Sequence, residues 1–280
     1  MAGFAIALGM FDSVHIGHRA VIDAAVNSGY RSIILTFDKI PSKGDRSVLS
    51  ELEKRDKLLA TGIDDVHILE FEEVKNYTPE EFFTNIITTM NPRKICCGFN
   101  FRFGKNALGD TSLLRDYCLK NGIEYYEAEE VKRDGVTVST TYIKELLRDG
   151  NVAKAAELLG EPFSFTAEVV DGDKRGRTLG FPTINQFYPE CKTGLKFGVY
   201  YTKVEIEGKI FNSVTNVGIR PTFKNGFVSA ETHIIDFDGD CYGKELKLSF
   251  IEYIREEKKF GSVEELVDEI AKNVQYVRNK

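Results

Sequence analysis

The sequence is poor in the features that mark specialised proteins. Its five cysteines, Cys96, Cys97, Cys118, Cys191 and Cys241, include no C-x-x-C pair. That removes the ligand spacing of a zinc ribbon and the dithiol of a thioredoxin-type site. They are expected to be small buried hydrophobes in a reducing cytoplasm. No apolar run reaches the roughly 18 residues that a membrane span needs. The apolar opening MAGFAIALGMFDS has no basic stretch before Asp12, so it reads as a first core strand rather than a signal peptide. Positive charge is not in excess: 37 Lys and Arg stand against 43 Asp and Glu, a net charge of −6. A protein built to hold nucleic-acid phosphates or a lipid surface usually carries a basic face, so neither partner is expected. Self-association is left open. There is no internal repeat and no low-complexity stretch.

What is present is ordinary globular text, 42% hydrophobic and 29% charged over 280 residues. That length is at the limit of a single core, so two domains are expected. The first half alternates strand and helix signals. Apolar runs at 4–8, 31–37, 66–71 and 93–97 read as strands. A helix is expected over 16–28, stopping at Gly29, and another from the capping box at Ser50 and Glu53 to near Gly62. Thr78-Pro79 offers a further helix start. This repetition predicts a parallel sheet covered by helices on both faces. The pattern changes near residue 160, after a helical segment that ends at Gly160. Strands are expected at 163–170, 199–207, 209–217, 231–236 and 245–253, with no helix between them and a turn at Glu207-Gly208. They predict a small antiparallel barrel. A second capping box at Ser262 and Glu265 should open a C-terminal helix reaching about Arg278. The expected domains are 1–155 and 160–280.

Two of the four histidines fall in GMFDSVHIGH, residues 9–18, between the first strand and the first helix. Ligands of open parallel sheets bind beyond the carboxyl ends of strands, and a helix N-terminus favours phosphate. His15 and His18, three apart, could face one side of the first turn. Gly9 and Gly17 would let backbone approach a ligand. The histidines could equally cap the helix or pack against it. A zinc site lacks further ligands nearby. CGFNFRFGKNALGD at 97–110 is a glycine- and aromatic-rich loop after the fourth strand. VSTTYIKELLRDG at 138–150 puts Ser139 and Thr140 at a helix start, either as caps or as phosphate ligands, with Lys144 one turn in. In the second half GDKRGRTLGFPTIN, 172–185, spaces Gly172, Gly176 and Gly180 every four residues among Lys174, Arg175 and Arg177. Such a loop can wrap a polyphosphate or be a solvated hairpin. It is not a P-loop, and the nearest approach, Gly239 to Lys244, lacks a spacer and the hydroxyl residue.

The 9–18 segment resembles the H-x-G-H signature of nucleotidyltransferases. GRTLGFPTIN resembles the signature of riboflavin kinases, joined by GVYY at 198–201, NVGIRPTF at 216–223, ETHIIDFDGDCYGKEL at 231–246 and FIEYIREEKKFGSVEELVDEI at 250–270. In this order they resemble the bacterial bifunctional riboflavin kinase/FAD synthetase family over essentially the whole chain. The resemblance implies a Rossmann-like parallel-sheet nucleotidyltransferase domain, then an antiparallel β-barrel kinase domain with a C-terminal helix. It implies phosphorylation of riboflavin to FMN and adenylylation of FMN to FAD, with ATP as donor. His15 and His18 would act on the nucleotide with Gly9, Phe11, Gly17, Ser139, Thr140 and Lys144, and Asn100 would lie in the FMN phosphate loop. In the kinase, Gly172, Lys174, Gly176 and Arg177 would hold ATP. Thr183 and Asn185 would bind Mg²⁺, Glu231 would be the general base, and Arg220 and Arg255 would lie on the flavin side. The chain departs from the family pattern at Ser13, where glycine is usual, and at Lys144, where arginine is frequent. It also departs at Phe37-Asp38-Lys39-Ile40-Pro41, where a histidine is missing. A kinase with a degenerate adenylyltransferase half and a non-catalytic flavin-binding regulator are the alternatives. A nucleic-acid-binding barrel would need an aromatic and basic stripe that is not seen.

Overall fold

The structure is a computed structural model that describes residues 3–38, 46–172, 175–219 and 227–280. The chain divides into two compact units, Met1–Tyr142 and Ile143–Lys280.

In the first unit β1 (Phe4–Leu8), β2 (Arg31–Phe37), β3 (Asp65–Leu69), β4 (Pro92–Gly98) and β5 (Glu124–Ala128) form a parallel sheet in the order β3-β2-β1-β4-β5. Strand alternation sends Ala5, Ala7, Ile34 and Cys96 to one face, with Val21, Ile22 and Ala25 of α1 (Ile16–Val26). It sends Ile6, Leu8, Ile33, Leu35, Ile95 and Cys97 to the other, with Leu114 and Cys118 of α5 (Thr111–Lys120). Between these lie α2 (Glu51–Leu59), the four-residue helices α3 (Phe71–Val74) and α4 (Pro79–Phe82), and the π turn Phe83–Ile87. The capping boxes at Ser50 and Thr78 both form. The strand order reverses at β1, whose neighbours β2 and β4 leave it in opposite directions, and there a ligand crevice opens at the carboxyl edge. Strand β5 and the hairpin β6 (Lys132–Arg133) and β7 (Val136–Thr137) were not expected. The β5 run EYYEA is half polar because it is an edge strand.

Helix α6 (Thr140–Arg148) spans the division, and α7 (Val152–Leu159) packs on the barrel strand β13 (Glu245–Arg255). The barrel closes as β10-β11-β12-β9-β8-β13 through β8 (Ser164–Val170), β9 (Ile184–Phe187), β10 (Gly198–Ile206), β11 (Lys209–Ile219) and β12 (Val228–Ile234). Helix α8 (Arg175–Thr178) is a single turn, and α9 (Val263–Arg278) packs Val274 and Val277 against Val199, Tyr201 and Val214. The interior holds Tyr200, Phe165, Phe250 and a chain of buried hydroxyls, Thr202–Thr215 at 2.6 Å and Thr215–Thr232 at 2.9 Å. Strand β9 was missed because it is only four residues long and INQF carries two amides. One of them, Gln186, is fully buried and donates to Ala167 and Leu246. Glu207 and Gly208 turn with φ of 51° and 76°, the hairpin expected. The expected box at Ser262 is half formed: Ser262 accepts from Glu265, but the Glu265 carboxylate takes the Gly261 N–H instead of that of Ser262.

Gly198 begins β10 at φ 145°, and a Cβ there would lie 2.4 Å from the Arg255 carbonyl oxygen. Gly198→Ala should therefore destabilise the barrel by about 2 kcal/mol or more. Denaturant unfolding checks this, and a midpoint equal to wild type would show that the strand pair can part there without cost.

Candidate active sites

The first site is a cleft of about 820 Å³ at the carboxyl edge of β1 and β4, lined by Gly9, Phe11, His15, Gly17, His18, Asn100, Ser139 and Thr140 among others. His15 is the N-cap of α1, and its Nδ1 accepts the His18 backbone N–H at 3.1 Å. With Nδ1 an acceptor, the neutral ring carries its proton on Nε2. The two imidazoles stack with centroids 3.7 Å apart, and Phe11 meets His18 edge-on at 5.2 Å. Capping, packing and lining the cleft are thus one arrangement. Burial lowers His15 from its ordinary 6.5 to about 4. His18 is held well below the ordinary range by burial first, then by His15 and Lys54. Its Nδ1 is buried without a hydrogen-bond partner among the described residues. Both rings are neutral donors near pH 7, and an arriving anion would strengthen their bonds.

Phe11 and Val14 are left-handed at φ 47° and 48°, uncommon for side chains of their kind, and both are buried. Packing holds the loop in this shape. Thr36 Oγ1 donates to the Met10 carbonyl at 2.9 Å. Ser13, the departure from the family's glycine, is buried and lies 3.0 Å from the Thr140 hydroxyl, tying the loop to the start of α6. Gly17 leaves room for the His15 ring, since a Cβ there would come within 3.1 Å of it. Ser139 caps α6 by accepting the Tyr142 N–H. Lys144, one turn further along α6, is buried and is not among the residues that line the cleft. Sequence reading missed Lys75, Arg102 and Lys105, which bring positive charge to the cleft, although basic residues in the 97–110 loop were visible. It also missed Lys54, a buried ammonium bonded to the Phe37 carbonyl and lowered to about 8 by burial. The place of the missing histidine, from Lys39 onward, lies outside the described residues.

In the barrel, Glu231 of β12 pairs with Asn185 of β9 on one side and Asn216 of β11 on the other. Cross-strand partners share a face. Their neighbours Gln186, Ala230, Thr232, Thr215 and Val217 point inward and are fully buried, so this row faces out of the barrel. Thr183, two residues before Asn185, lies just ahead of the same strand. His233, two after Glu231, shares its face, and its Nδ1 lies 2.8 Å from the Pro182 carbonyl oxygen. The loop before β9 turns back on itself: Phe181 N–H donates to Gly176 O, and a Cβ on Gly176 would lie 2.3 Å from the Phe181 carbonyl. Gly172 is half-buried and Arg177 exposed, while Lys174 and Arg220 lie outside the described residues. Arg255 pairs with Glu269 of α9 at 3.1 Å.

A family model described as FAD synthetase matches residues 1–142, and one described as riboflavin kinase matches 159–280. The bifunctional riboflavin kinase/FMN adenylyltransferase of Bacillus subtilis is 32% identical, covering 96% of this chain and 90% of that protein. The chain belongs to the bifunctional riboflavin kinase/FMN adenylyltransferase family. The Escherichia coli member is 31% identical over 97% of this chain and 90% of its own. A crystal structure titled as a macrolide-efflux protein from Streptococcus pneumoniae has 29% identity and a TM-score of 0.92. It covers 100% of this chain and 95% of that one. Among the described residues no helix is long and apolar enough to cross a membrane. With a family model on each half, this enzyme phosphorylates riboflavin to FMN and adenylylates FMN to FAD, using ATP. The two-activity reading stands over the non-catalytic alternative.

The folded chain refuses a proton at His15 that the unfolded chain accepts between pH 6.5 and about 4. The stability His15 contributes is complete above 6.5 and is lost as pH falls through that window. The stability difference between wild type and His15→Gln should therefore shrink in that window, measured by urea unfolding at each pH. A difference independent of pH would mean that the ring titrates as if exposed.

Proposed function

We propose that the cleft of the first unit carries FMN adenylylation and the outward row of the barrel carries riboflavin phosphorylation. In the cleft an FMN phosphate oxygen attacks the α-phosphorus of ATP, the bond to the β-phosphate oxygen breaks, and pyrophosphate leaves. The nucleophile is already ionised, so alignment and charge stabilisation suffice. The N–H groups of His15 and His18, the α1 N-terminus and the hydroxyls of Ser139 and Thr140 receive the ATP phosphates. Gly9 and Gly17 keep the approach open, and Phe11 holds the His18 ring. Asn100 receives the FMN phosphate. The single supporting observation is that both imidazoles are neutral, stacked and turned to one cleft at the strand-order reversal. Lys144, one turn beyond Thr140 on the same helix, is the further positive charge assigned to these phosphates.

In the barrel Glu231 takes the proton of the ribityl 5′-hydroxyl, whose oxygen attacks the γ-phosphorus of ATP while ADP leaves. A hydroxyl needs such a base. The loop with Gly172, Lys174, Gly176 and Arg177 holds the donor phosphates. Thr183 and Asn185 offer two neutral oxygens beside it, a donor set that suits Mg²⁺, which keeps waters and phosphate oxygens as its other ligands. Bound there, Mg²⁺ would neutralise phosphate charge. Arg255, paired to Glu269, steadies the flavin side through α9. A reducing cytoplasm suits the thiols, since burial pushes Cys96 and Cys118 up to about 12 and Cys97 to about 11.

His18→Ala should slow FAD formation from supplied FMN by roughly 10²–10³-fold, the scale for one preorganised donor, while FMN formation continues. Loss of both activities together would remove the assignment of His18 to one site. Glu231→Gln should slow FMN formation by roughly 10²–10⁴-fold and spare FAD formation from FMN. EDTA should abolish FMN formation and added Mg²⁺ restore it. Unchanged turnover in EDTA would refute the metal assignment.

A further inference from the structure

The register of the barrel fixes more than the base. Asn185, Glu231 and Asn216 form a row across three neighbouring strands, with roughly 4.8 Å from strand to strand. If Glu231 is the base, the reactive hydroxyl lies at the middle of the row. The phosphoryl donor lies on the Asn185 and Thr183 side. In-line transfer puts the nucleophile and the departing ADP on opposite sides of the phosphorus. The carbon chain bearing the nucleophile must therefore leave the base on the other side, over Asn216.

What waits there is polar and open. The Asn216 amide donates to Glu257 Oε1 at 3.2 Å. That carboxylate lies over Gly218, where a Cβ would be 2.3 Å from Oε1, so only glycine leaves it this position. Glu257 sits two residues beyond the end of β13, and its side chain reaches across to β11. Asn216 is half-buried and Glu257 exposed. A carboxamide and a carboxylate side by side supply acceptors and a donor pair within one hydrogen-bond length, the set that a chain of vicinal hydroxyls requires. Neither residue has a place in phosphoryl transfer itself.

We propose that Asn216 and Glu257 read the secondary hydroxyls of the ribityl chain and so set the specificity of the kinase for a polyol-bearing flavin. The inference rests on Glu231 as the base, which fixes the direction of the chain. Without ligand the two side chains satisfy each other. With riboflavin bound they turn to the 2′-, 3′- and 4′-hydroxyls, and the terminal hydroxyl is delivered to Glu231. Asn216 and Glu257 are then specificity residues that touch substrate but move no proton.

The test compares riboflavin with an isoalloxazine whose N10 substituent is 5-hydroxypentyl, which keeps the nucleophile and lacks the three secondary hydroxyls. The full-length enzyme is assayed with MgATP, and kcat/KM is measured for each flavin. Wild type should prefer riboflavin by roughly 10²-fold or more, since a site built to bond hydroxyls rejects a chain without them. Asn216→Ala and Glu257→Gln should each reduce that ratio roughly tenfold, mainly by raising KM for riboflavin, with KM for MgATP unchanged. Glu257→Ala, at an exposed position, repeats the measurement should Asn216→Ala fold poorly. A wild type that uses both flavins equally would overturn the proposal, as would variants that keep the wild-type ratio. Glu231→Gln separates the two readings. It should lower kcat for both flavins alike and leave the ratio intact. Normal kcat in Glu231→Gln would remove the base assignment whatever Asn216 and Glu257 do to the ratio.

Discussion

The backbone hydrogen bonds that pair β9, β12 and β11 place Asn185, Glu231 and Asn216 abreast on the outside of a barrel whose interior is full. Each strand alternates faces, so a slip of one residue would send Glu231 into the core and Thr232 out of it. Two interactions defend the register from inside. Thr215 and Thr232 share a hydroxyl bond, and Gln186 bonds the carbonyls of β8 and β13. Leaving these buried polar groups unpaired would cost about 1–3 kcal/mol each. The polar chain inside the barrel is therefore also what aims the polar row outside it.

The first unit uses a different device. Its strands are parallel and buried on both faces, so chemistry is confined to the loops at their carboxyl ends. The loop between β1 and α1 carries two left-handed non-glycine residues and two stacked histidines in ten positions. Such a shape persists only when its surroundings over-determine it. Phe11 is nearly fully buried, Ser13 is bonded to Thr140, and Thr36 holds the Met10 carbonyl. The same burial keeps His15 and His18 uncharged, which suits hydrogen-bond donors that wait for an anion.

The two halves show why one chain can hold two phosphate chemistries. A phosphate nucleophile is ionised before it arrives, and its site can be built from neutral donors and a helix terminus. A hydroxyl nucleophile is not, and its site needs a carboxylate within reach. The sites proposed for the two halves follow that difference, stacked histidines in one and a glutamate between two asparagines in the other.

By itself the sequence determined the alternation of strand and helix in one half, the run of strands in the other, and the motifs between them. Local signals suffice there: the capping residues Ser50 and Thr78, the turn at Glu207-Gly208, and apolar runs of the right length. It also determined both activities, because H-x-G-H and GRTLGFPTIN are contiguous strings. Tertiary structure decided what depends on partners distant in the chain. Strand β9 has a weak local signal, and its place comes from pairing with β12, more than forty positions away. Ser13 reads as a departure until Thr140 is found against it. Lys144, charged and set on a helix of mixed text, reads as half-exposed until the fold buries it. Asn216 and Glu257 fall in two separate motifs of the sequence and become neighbours only because β11 and the segment after β13 meet. Spacing along a chain fixes periodicity and caps, whereas closure of a barrel fixes which side chains from separate strands share a substrate.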